Sequence, residues 1–214
     1  VLLAVMVAIS PLPSMLEARA DMKAEQEVID SKSIGQTVEL GTYSEDLSTY
    51  KGTSVAGRPI RWIVVDKEDG RALLVTQQCI DEMAFNAHGN ADDFKSSSLY
   101  DYLNGSFKDY AFCDAERDLI DGDVTVLGSF MVFDRAPSED FLYATSVMGG
   151  NEAEEWWTFT VEEYSGSSYY SDSYYDGQPL VNYVDTWGDI GSGDDGYEQD
   201  EVLGVRPAIW VKLN

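Results

Sequence analysis

The sequence predicts an α+β domain, and two observations carry that prediction. Segments rich in β-branched and aromatic residues lie near both ends of the chain, and they enclose two short segments with helical spacing. The clearest local signal is a β-hairpin. Residues 60–66 and 71–77 are apolar runs on either side of Asp69-Gly70, a dipeptide favoured in two-residue hairpin turns.

The first predicted helix covers residues 96–103, where apolar side chains recur at helical spacing. Ser97 or Ser98 is expected to cap its N-terminus, because a serine hydroxyl accepts a hydrogen bond from a free backbone N–H there. Gly105 is expected just past its C-terminus.

A second helix is predicted over residues 114–120, with Asp114 as its cap. Pro207 in the last apolar segment indicates an edge strand or an irregular start, because proline cannot donate a ladder hydrogen bond. Further short strands or extended segments are expected at residues 38–43, 124–127, 141–144, 156–161 and 205–213.

Residues 1–20 are predicted to be a secretory signal peptide whose beginning is missing. Residues 1–9 are apolar but fewer than the roughly 20 needed to cross a bilayer. Prolines follow, and residues 18–20 (Ala-Arg-Ala) have the small-x-small pattern of a cleavage site. The alternative is a buried N-terminal helix, which the prolines disfavour.

The charged residues 21–36 lack a clear apolar face and are predicted to be a flexible leader. Residues 37–214 are long enough for one well-packed domain. With the signal peptide, this organisation predicts a secreted or cell-surface protein.

The chain is strongly acidic, with a formal net charge of −25. Such a charge repels nucleic-acid phosphates and anionic membranes, and it favours cations, basic partners or neutral ligands. The alternative is that the charge serves only to keep the protein soluble. No later segment is apolar enough to span a membrane, so neither nucleic-acid binding nor stable membrane insertion is expected.

The chain has two cysteines, Cys79 and Cys113. In an exported protein such a pair predicts a disulfide, and two buried free thiols are the alternative. A zinc site formed with His88 is disfavoured, because the three residues lack a closely spaced pair.

Several short motifs follow one another in a characteristic order, at residues 40–43, 59–65, 72–75, 85–86, 97–104, 111–112, 156–157 and 204–210. In this order they resemble the DUF6273 family, a widespread bacterial domain family without an assigned activity. The resemblance covers roughly residues 38–212. The closing Gly-Val-Arg-Pro-Ala-Ile-Trp also looks like the Gly-Phe-Arg ending of the formylglycine-generating-enzyme branch of C-type-lectin-like folds.

The resemblance implies a C-type-lectin-like arrangement, in which the N- and C-terminal strands pair and a long loop lies on a binding face. This chain departs from the family at Tyr100 and at Thr158-Phe159, where arginine-containing motifs are usual. Any function of those arginines in relatives is therefore in doubt here.

Motifs of enzymes are missing from the sequence. It has no phosphate-binding glycine loop, no Gly-x-Ser-x-Gly and no His-Glu-x-x-His. His88 is interpreted as a surface-loop histidine beside Gly89. A glycan hydrolase that uses two carboxylates stays an alternative, because so acidic a chain contains many close pairs of acids.

Residues 162–201 are too rich in Gly, Ser and Asp for a core segment, yet they contain many tyrosines. Tyrosines among small polar residues are typical of antibody binding loops, and they also suit stacking on sugar rings. A low-complexity loop packed by its own tyrosines is the alternative. The predicted ligand-binding residues are Tyr169, Tyr170, Asp172, Tyr174, Tyr175, Asp176, Asn182 and Trp187.

An acidic, glycine-containing cluster in the same stretch predicts a calcium site, since Ca²⁺ takes six to eight oxygen ligands. The spacing does not fit an EF-hand, and a solvated acidic loop is the alternative. The predicted ligands are Asp189, Asp194, Asp195 and Glu198, with Asp200 and Glu201 nearby.

The other tryptophans, Trp62, Trp156, Trp157 and Trp210, are expected in the core, whereas Trp187 is expected to be exposed. Arg206 is expected to be buried in an ion pair or against backbone carbonyls. Together these features predict a secreted, non-catalytic domain that recognises an extracellular glycan or protein. The alternatives are the carboxylate-based glycan hydrolase and a structural cell-surface assembly module.

Overall fold

Two β-sheets with short flanking helices form the framework of the protein, and this mixed content confirms the predicted α+β class. The computed structural model describes residues 15–43, 57–147, 152–163, 179–192 and 196–214.

The first sheet has four antiparallel strands in the order β1-β2-β3-β9. The predicted hairpin is confirmed: β2 and β3 pair up to Glu68 and Arg71, and Asp69 and Gly70 have φ values of 50° and 73°. Both angles are those that a two-residue hairpin turn requires. The strands are β1 (Thr37–Thr42), β2 (Pro59–Glu68), β3 (Arg71–Thr76) and β9 (Ala208–Lys212).

The terminal strands do not pair with each other, so the arrangement implied by the family resemblance is wrong in this respect. β1 and β9 lie at opposite edges of the sheet. The tight turn keeps β3 beside β2, and β9 then adds to the free edge of β3, with Leu74 opposite Ile209. Pro207 directly precedes this edge strand, as predicted.

The second sheet has five strands in the order β4-β8-β5-β6-β7. The predicted strand at 156–161 is confirmed as β5, and the predicted last strand is divided into β8 and β9. The strands are β4 (Asp81–Ala84), β5 (Trp156–Glu163), β6 (Pro179–Val184), β7 (Ile190–Gly191) and β8 (Val202–Val205).

Two further predicted segments, at 124–127 and 141–144, belong to no named strand. The segment at 124–127 makes an isolated antiparallel bridge between Thr125 and Ala208, which agrees with the prediction of a short strand or extended segment. The segment at 141–144 begins in a 3₁₀ turn over Glu139–Phe141, and local backbone hydrogen bonds from Leu142 to Glu139 and from Ala144 to Leu142 take the place of a ladder.

The predicted flexible leader is wrong over residues 21–31, which belong to α1 (Met15–Ser31). Ile29 is buried, and Gln26 Nε2 donates to the Lys212 carbonyl at 3.2 Å. Tertiary contacts therefore stabilise a helix whose own apolar face is weak. The predicted cleavage after Ala20 would leave these contact residues in place, and the signal peptide stays a prediction, with residues 1–14 outside the described part.

The first predicted helix is longer than expected. Ser97 is its N-cap, as predicted, because its Oγ accepts from the Tyr100 N–H at 3.1 Å. The prediction that it ends before Gly105 is wrong, since Gly105 lies inside a π-helical turn. Leu103 and Phe107, on either side of Gly105, are buried, and their packing stabilises the helical backbone at the glycine. The segments are α2 (Ser98–Tyr102), the π turn (Leu103–Phe107) and α3 (Lys108–Ala111).

The second predicted helix is α4 (Asp114–Leu119), and its N-cap is Cys113 rather than Asp114. Glu116 explains the shift by one residue: its Oε2 accepts from the Cys113 N–H at 2.8 Å. Its Oε1 also accepts from the Gly41 N–H at 2.9 Å, which fixes α4 against β1. A fifth helix, α5 (Ser129–Arg135), was not predicted.

The tryptophans divide as predicted between the core and the surface. Trp62, Trp156 and Trp157 are fully buried, and Trp210 is half-buried. Trp187 is 74% exposed. None of the helices in the described part of the chain combines the length and the apolar character needed to cross a membrane.

Arg206 is buried and bonds to backbone carbonyls, which confirms that part of its prediction. Its Nε donates to the Thr76 carbonyl at 2.9 Å, and its Nη1 donates to the Phe141 carbonyl. Its guanidinium lies over the rings of Phe141 and Trp156.

The predicted disulfide is wrong, because both cysteines are free. Cys79 is buried in a core cluster with Trp156 and Val75, whereas Cys113 is exposed at the start of α4. Burial raises the pKa of the Cys79 thiol to about 12. The thiolate is the reactive form, so Cys79 is inert near neutral pH.

The native protein is therefore expected to react with a thiol reagent at Cys113 alone, and at Cys79 only after denaturation. Titration with Ellman's reagent before and after adding guanidinium chloride measures both. Cys113→Ser is the control and is expected to have no reactive thiol while folded. A wild-type protein without any titratable thiol under denaturing, non-reducing conditions would show that the disulfide exists after all.

Candidate functional site

The tyrosine-rich segment lies outside the described residues, but the structure fixes both of its ends. Residues 164–178 join β5 to β6, and Glu163 pairs with Pro179 in the strand register. Both ends therefore leave the second sheet from adjacent positions. The predicted binding residues in this segment are Tyr169, Tyr170, Asp172, Tyr174, Tyr175 and Asp176.

A cavity of about 240 Å³ lies where this segment rejoins the sheet. It is bounded by the start of β6, by the loop that follows Phe85, and by the segment before β8. Its lining residues are Ala87, Gly89, Asn90, Pro179, Leu180, Glu198, Gln199 and Asp200. We call it the β6 cavity.

Asn86 shapes the loop on one side of the β6 cavity. Its Nδ2 donates to the carbonyls of His88 and Gly89 at 3.1 and 3.0 Å, and its Oδ1 accepts from the Ser98 N–H at 3.2 Å. The Asn86 side chain thus supplies hydrogen bonds that stabilise the turn at residues 86–89, and it connects this turn to the start of α2. This role is typical of asparagine in loops.

Gln199 connects that loop to the opposite wall. Its side chain is buried, its Oε1 accepts from the Ala91 N–H at 2.7 Å, and its Nε2 donates to the Ala91 carbonyl at 2.8 Å. The Asn86 N–H in turn donates to the Gln199 carbonyl at 2.8 Å. Two segments distant in sequence therefore form one fixed frame, as a preorganised binding site requires.

Tyr197 forms the base of the same wall. Its backbone exchanges two hydrogen bonds with Val181, and its ring centroid lies 4.3 Å from that of Tyr183. Its hydroxyl donates to Glu155 Oε2 at 3.1 Å. Burial, followed by this bond to a carboxylate, raises the pKa of Tyr197 to about 12.

Sequence reasoning missed Asn86 and Gln199 as residues that build the site. Asn86 entered only as part of a family motif, and Gln199 lies among acids and glycines without any distinguishing pattern. Their roles depend on contacts over 12 and 108 residues of sequence separation, which no local pattern reports.

The charged residues among the described ones that line the β6 cavity are both acids, Glu198 and Asp200. Their carboxylates accept hydrogen bonds from hydroxyl or ammonium groups, and they disfavour anionic ligands. The Asn90 amide adds neutral polar character, whereas the Gln199 amide is occupied by its hydrogen bonds to Ala91. The arrangement therefore suits a polyhydroxylated or basic ligand.

The structure corrects the prediction for Asn182. Its side chain is buried, and its Nδ2 donates to Ser129 Oγ and to Glu162 Oε1, each at 3.2 Å. The carboxamide faces α5 across the sheet, so it joins structural elements and is not presented to solvent.

Trp187 is exposed as predicted, but it is not part of the β6 cavity. It lies in the turn after β6, where Asp185 Oδ1 accepts from the N–H groups of Trp187 and Asp189 at 2.8 Å each. The β6 cavity is at the other end of the strand, and Pro179–Val184 spans roughly 17 Å. The structure therefore separates Trp187 from the base of the tyrosine-rich segment.

Two of the four predicted calcium ligands are among the described residues, and the other two are not. Asp189 is exposed beside the Asp185 turn and Glu198 lines the β6 cavity, whereas Asp194 and Asp195 lie outside the described residues. Among the described residues, no group of three or more His, Cys, Asp or Glu side chains is placed to hold a metal ion. A calcium site would depend on Asp194 and Asp195 and stays a prediction.

Asp81 bears on the glycan-hydrolase alternative, which requires a carboxylic acid with a raised pKa. Burial raises the pKa of Asp81, whose Oδ2 accepts from the Tyr102 hydroxyl at 3.0 Å. Asp81 lies on β4 and does not line the β6 cavity. His88 is exposed in the loop, in agreement with its interpretation as a surface residue.

Comparisons of this chain with protein-family models, with curated proteins and with solved structures give no match.

Proposed function

We propose that this protein is a non-catalytic recognition domain that binds an extracellular glycan or protein at the β6 cavity and the tyrosine-rich segment 164–178. One observation carries the proposal. The register of β5 with β6 fixes both ends of that segment beside the cavity, because Glu162 pairs with Leu180 and Glu163 with Pro179. Pro179 and Leu180 are themselves lining residues.

A neutral glycan is the first candidate ligand. Carboxylate and amide groups line the β6 cavity, and such groups form hydrogen bonds with sugar hydroxyls. Tyrosine side chains supply large, rigid apolar faces with few rotatable bonds, which suit the stacking of sugar rings.

A basic protein is the second candidate, and the charge of the chain favours it. The formal net charge is −25, and the two charged residues among the described lining, Glu198 and Asp200, are acids. Complementary charge accelerates association with a cationic partner and makes it sensitive to salt.

The proposal includes a location outside the cell, a relation to the DUF6273 family and a C-type-lectin-like arrangement. The apolar run with its Ala18-Arg19-Ala20 site supports secretion. The ordered motifs support the family relation. A long segment that leaves a small sheet beside a preorganised cavity supports the lectin-like arrangement, although the terminal strands do not pair.

The test is a titration of the full chain with a panel of neutral oligosaccharides and with a basic protein such as cytochrome c, followed by thermal melting. A ligand that binds only the folded state raises the melting temperature. At a ligand concentration of 100 times its Kd, it stabilises the folded state by ~2.7 kcal/mol. The double variant Tyr174→Ala/Tyr175→Ala and the cavity variant Asn90→Ala are expected to abolish or weaken this shift.

Tyr110→Ala is the matched control, since Tyr110 is an exposed tyrosine on α3 outside the β6 cavity. It is expected to bind like the wild type. Cleavage of the oligosaccharides, detected as new reducing ends, would favour the hydrolase instead. Equal binding by the wild type and both site variants would contradict the proposed location.

A further inference from the structure

Arg206 carries a charge that no described side chain neutralises. Its side chain is 1% exposed, and none of the described carboxylates lies within ion-pair distance of it. Burial lowers the pKa of Arg206 to about 10, so the group is still cationic near neutral pH. A buried charge without a counter-ion costs several kcal/mol, which carbonyl dipoles and aromatic faces offset only in part.

The guanidinium also has unused donors. It offers five N–H groups. One donates to the Thr76 carbonyl at 2.9 Å and another to the Phe141 carbonyl. The ring centroids of Phe141 and Trp156 lie 4.1 and 4.9 Å from its Cζ, and contact with these two rings fixes the orientation of the guanidinium plane. Its Nη2 donates to no residue in the described part of the chain, so one edge of a rigidly held guanidinium is free.

Arg206 lines a cavity of about 390 Å³, which we call the Arg206 cavity. Among the described residues, the two charged groups that line it besides Arg206 are Arg61 and Asp140. Arg61 is exposed and paired with Glu39 at 3.3 Å. Tyr143 is 47% exposed and lies on the lining, so the cavity is reached from solvent.

Polar groups complete the lining. Gln78 Nε2 donates to Thr145 Oγ1 at 3.0 Å and to the Ser146 carbonyl at 3.3 Å, which fixes the amide beside Arg206. Gln77 and Ser138 also line the cavity. A volume near the lower end of the range for small-molecule sites, with a few fixed polar groups, is typical of a binding pocket.

We infer that the Arg206 cavity is a second binding site, and that it takes a small polar molecule through a single carboxylate group on the free edge of Arg206. A planar carboxylate matches the fork of a guanidinium and would supply the missing counter-charge. Asp140 and the net charge of −25 disfavour a doubly charged anion such as a phosphate monoester. The amides and the Tyr143 ring would contact the rest of the molecule.

This site is independent of the proposed function. The Arg206 cavity and the β6 cavity share none of their described lining residues. The variants Tyr174→Ala/Tyr175→Ala are therefore expected to leave carboxylate binding unchanged, and either proposal can fail without the other.

Isothermal titration calorimetry of the full chain with glucuronate and with N-acetylglycine tests the inference, and it distinguishes a sugar acid from the end of a peptide as the source of the carboxylate. Saturable binding of at least one of them is expected, with glucose and inorganic phosphate binding at least about tenfold more weakly. Absence of saturation by both acids up to about 10 mM, the range of very weak complexes, would overturn the inference.

Arg206→Met removes the charge but keeps an apolar side chain of similar length, and it is expected to weaken binding about tenfold or more. If Arg206→Met does not fold, Tyr143→Ala tests the same site. It is expected to weaken binding severalfold, whereas Tyr110→Ala, a similarly exposed tyrosine on α3, is expected to bind like the wild type. Binding of wild-type strength by a folded Arg206→Met, or by Tyr143→Ala, would overturn the inference.

Discussion

Trp157→Ala is expected to lower the free energy of unfolding by about 3–5 kcal/mol, as truncations of large buried aromatic side chains do. Trp157 is fully buried, and its Nε1 donates to the Met83 carbonyl at 2.8 Å. Its ring lies edge-on to Phe85 and Tyr197, with centroid distances of 5.8 and 6.5 Å. The substitution leaves a large cavity and removes a hydrogen bond from the half-buried Met83.

Urea denaturation followed by far-UV circular dichroism measures this loss without relying on tryptophan emission. Trp187→Ala is the matched control, since the same atoms are removed from a side chain that is 74% exposed. It is expected to change stability by less than about 0.5 kcal/mol. Similar losses in both variants would contradict the packing described around Trp157.

The same substitution has a consequence for the β6 cavity. Phe85 precedes Asn86, and Tyr197 precedes the lining residues that begin at Glu198. Trp157 therefore supports both walls of the cavity from below. A protein that stays folded after Trp157→Ala is expected to lose ligand-induced stabilisation, because its frame is no longer preorganised.

Gly41→Ala is expected to cost about 2–5 kcal/mol, because two penalties act together. Gly41 has φ +72°, a conformation that costs a residue with a Cβ roughly 1–2 kcal/mol. A Cβ there would also lie 2.7 Å from the Ala111 carbonyl oxygen and 2.9 Å from Phe112 Cδ1. Overpacking of this kind adds about 1–3 kcal/mol.

Gly122→Ala separates the two penalties. Gly122 has φ +91° but nothing within 4 Å of an added Cβ, so only the conformational cost applies. Guanidinium denaturation of both variants is expected to show the larger loss for Gly41→Ala. Equal losses would mean that β1 moves away from α3 at no cost, against the close contact that the structure shows.

The sequence predicts a structural element well when the residues that determine it lie close together in the chain. The hairpin at Asp69-Gly70 and the cap at Ser97 were predicted, because a turn and a cap are decided by residues within a few positions of each other. The end of the helix at Gly105 was not, because Leu103 and Phe107 gain more from burial than the glycine costs.

The candidate site was predicted in part. The sequence indicated the tyrosine-rich segment and the exposure of Trp187, both from composition. It placed Asn182 on the binding surface, although β6 turns that side chain toward Ser129. It gave no indication of the β6 cavity, whose walls come from residues 87–90, 179–180 and 198–200.

Composition and local pattern alone determined the acidic character, the α+β class, the central hairpin and the buried tryptophans. These properties follow from side-chain chemistry and from the two periodicities of helix and strand. Tertiary structure alone decided that the cysteines stay apart, that residues 21–31 form a helix, and that Arg206 faces a cavity without a counter-ion among the described side chains. Each of these depends on which distant segments meet, as Arg206 and Thr76 do across 130 residues, and the pairing of distant segments is set by the packing of the whole chain.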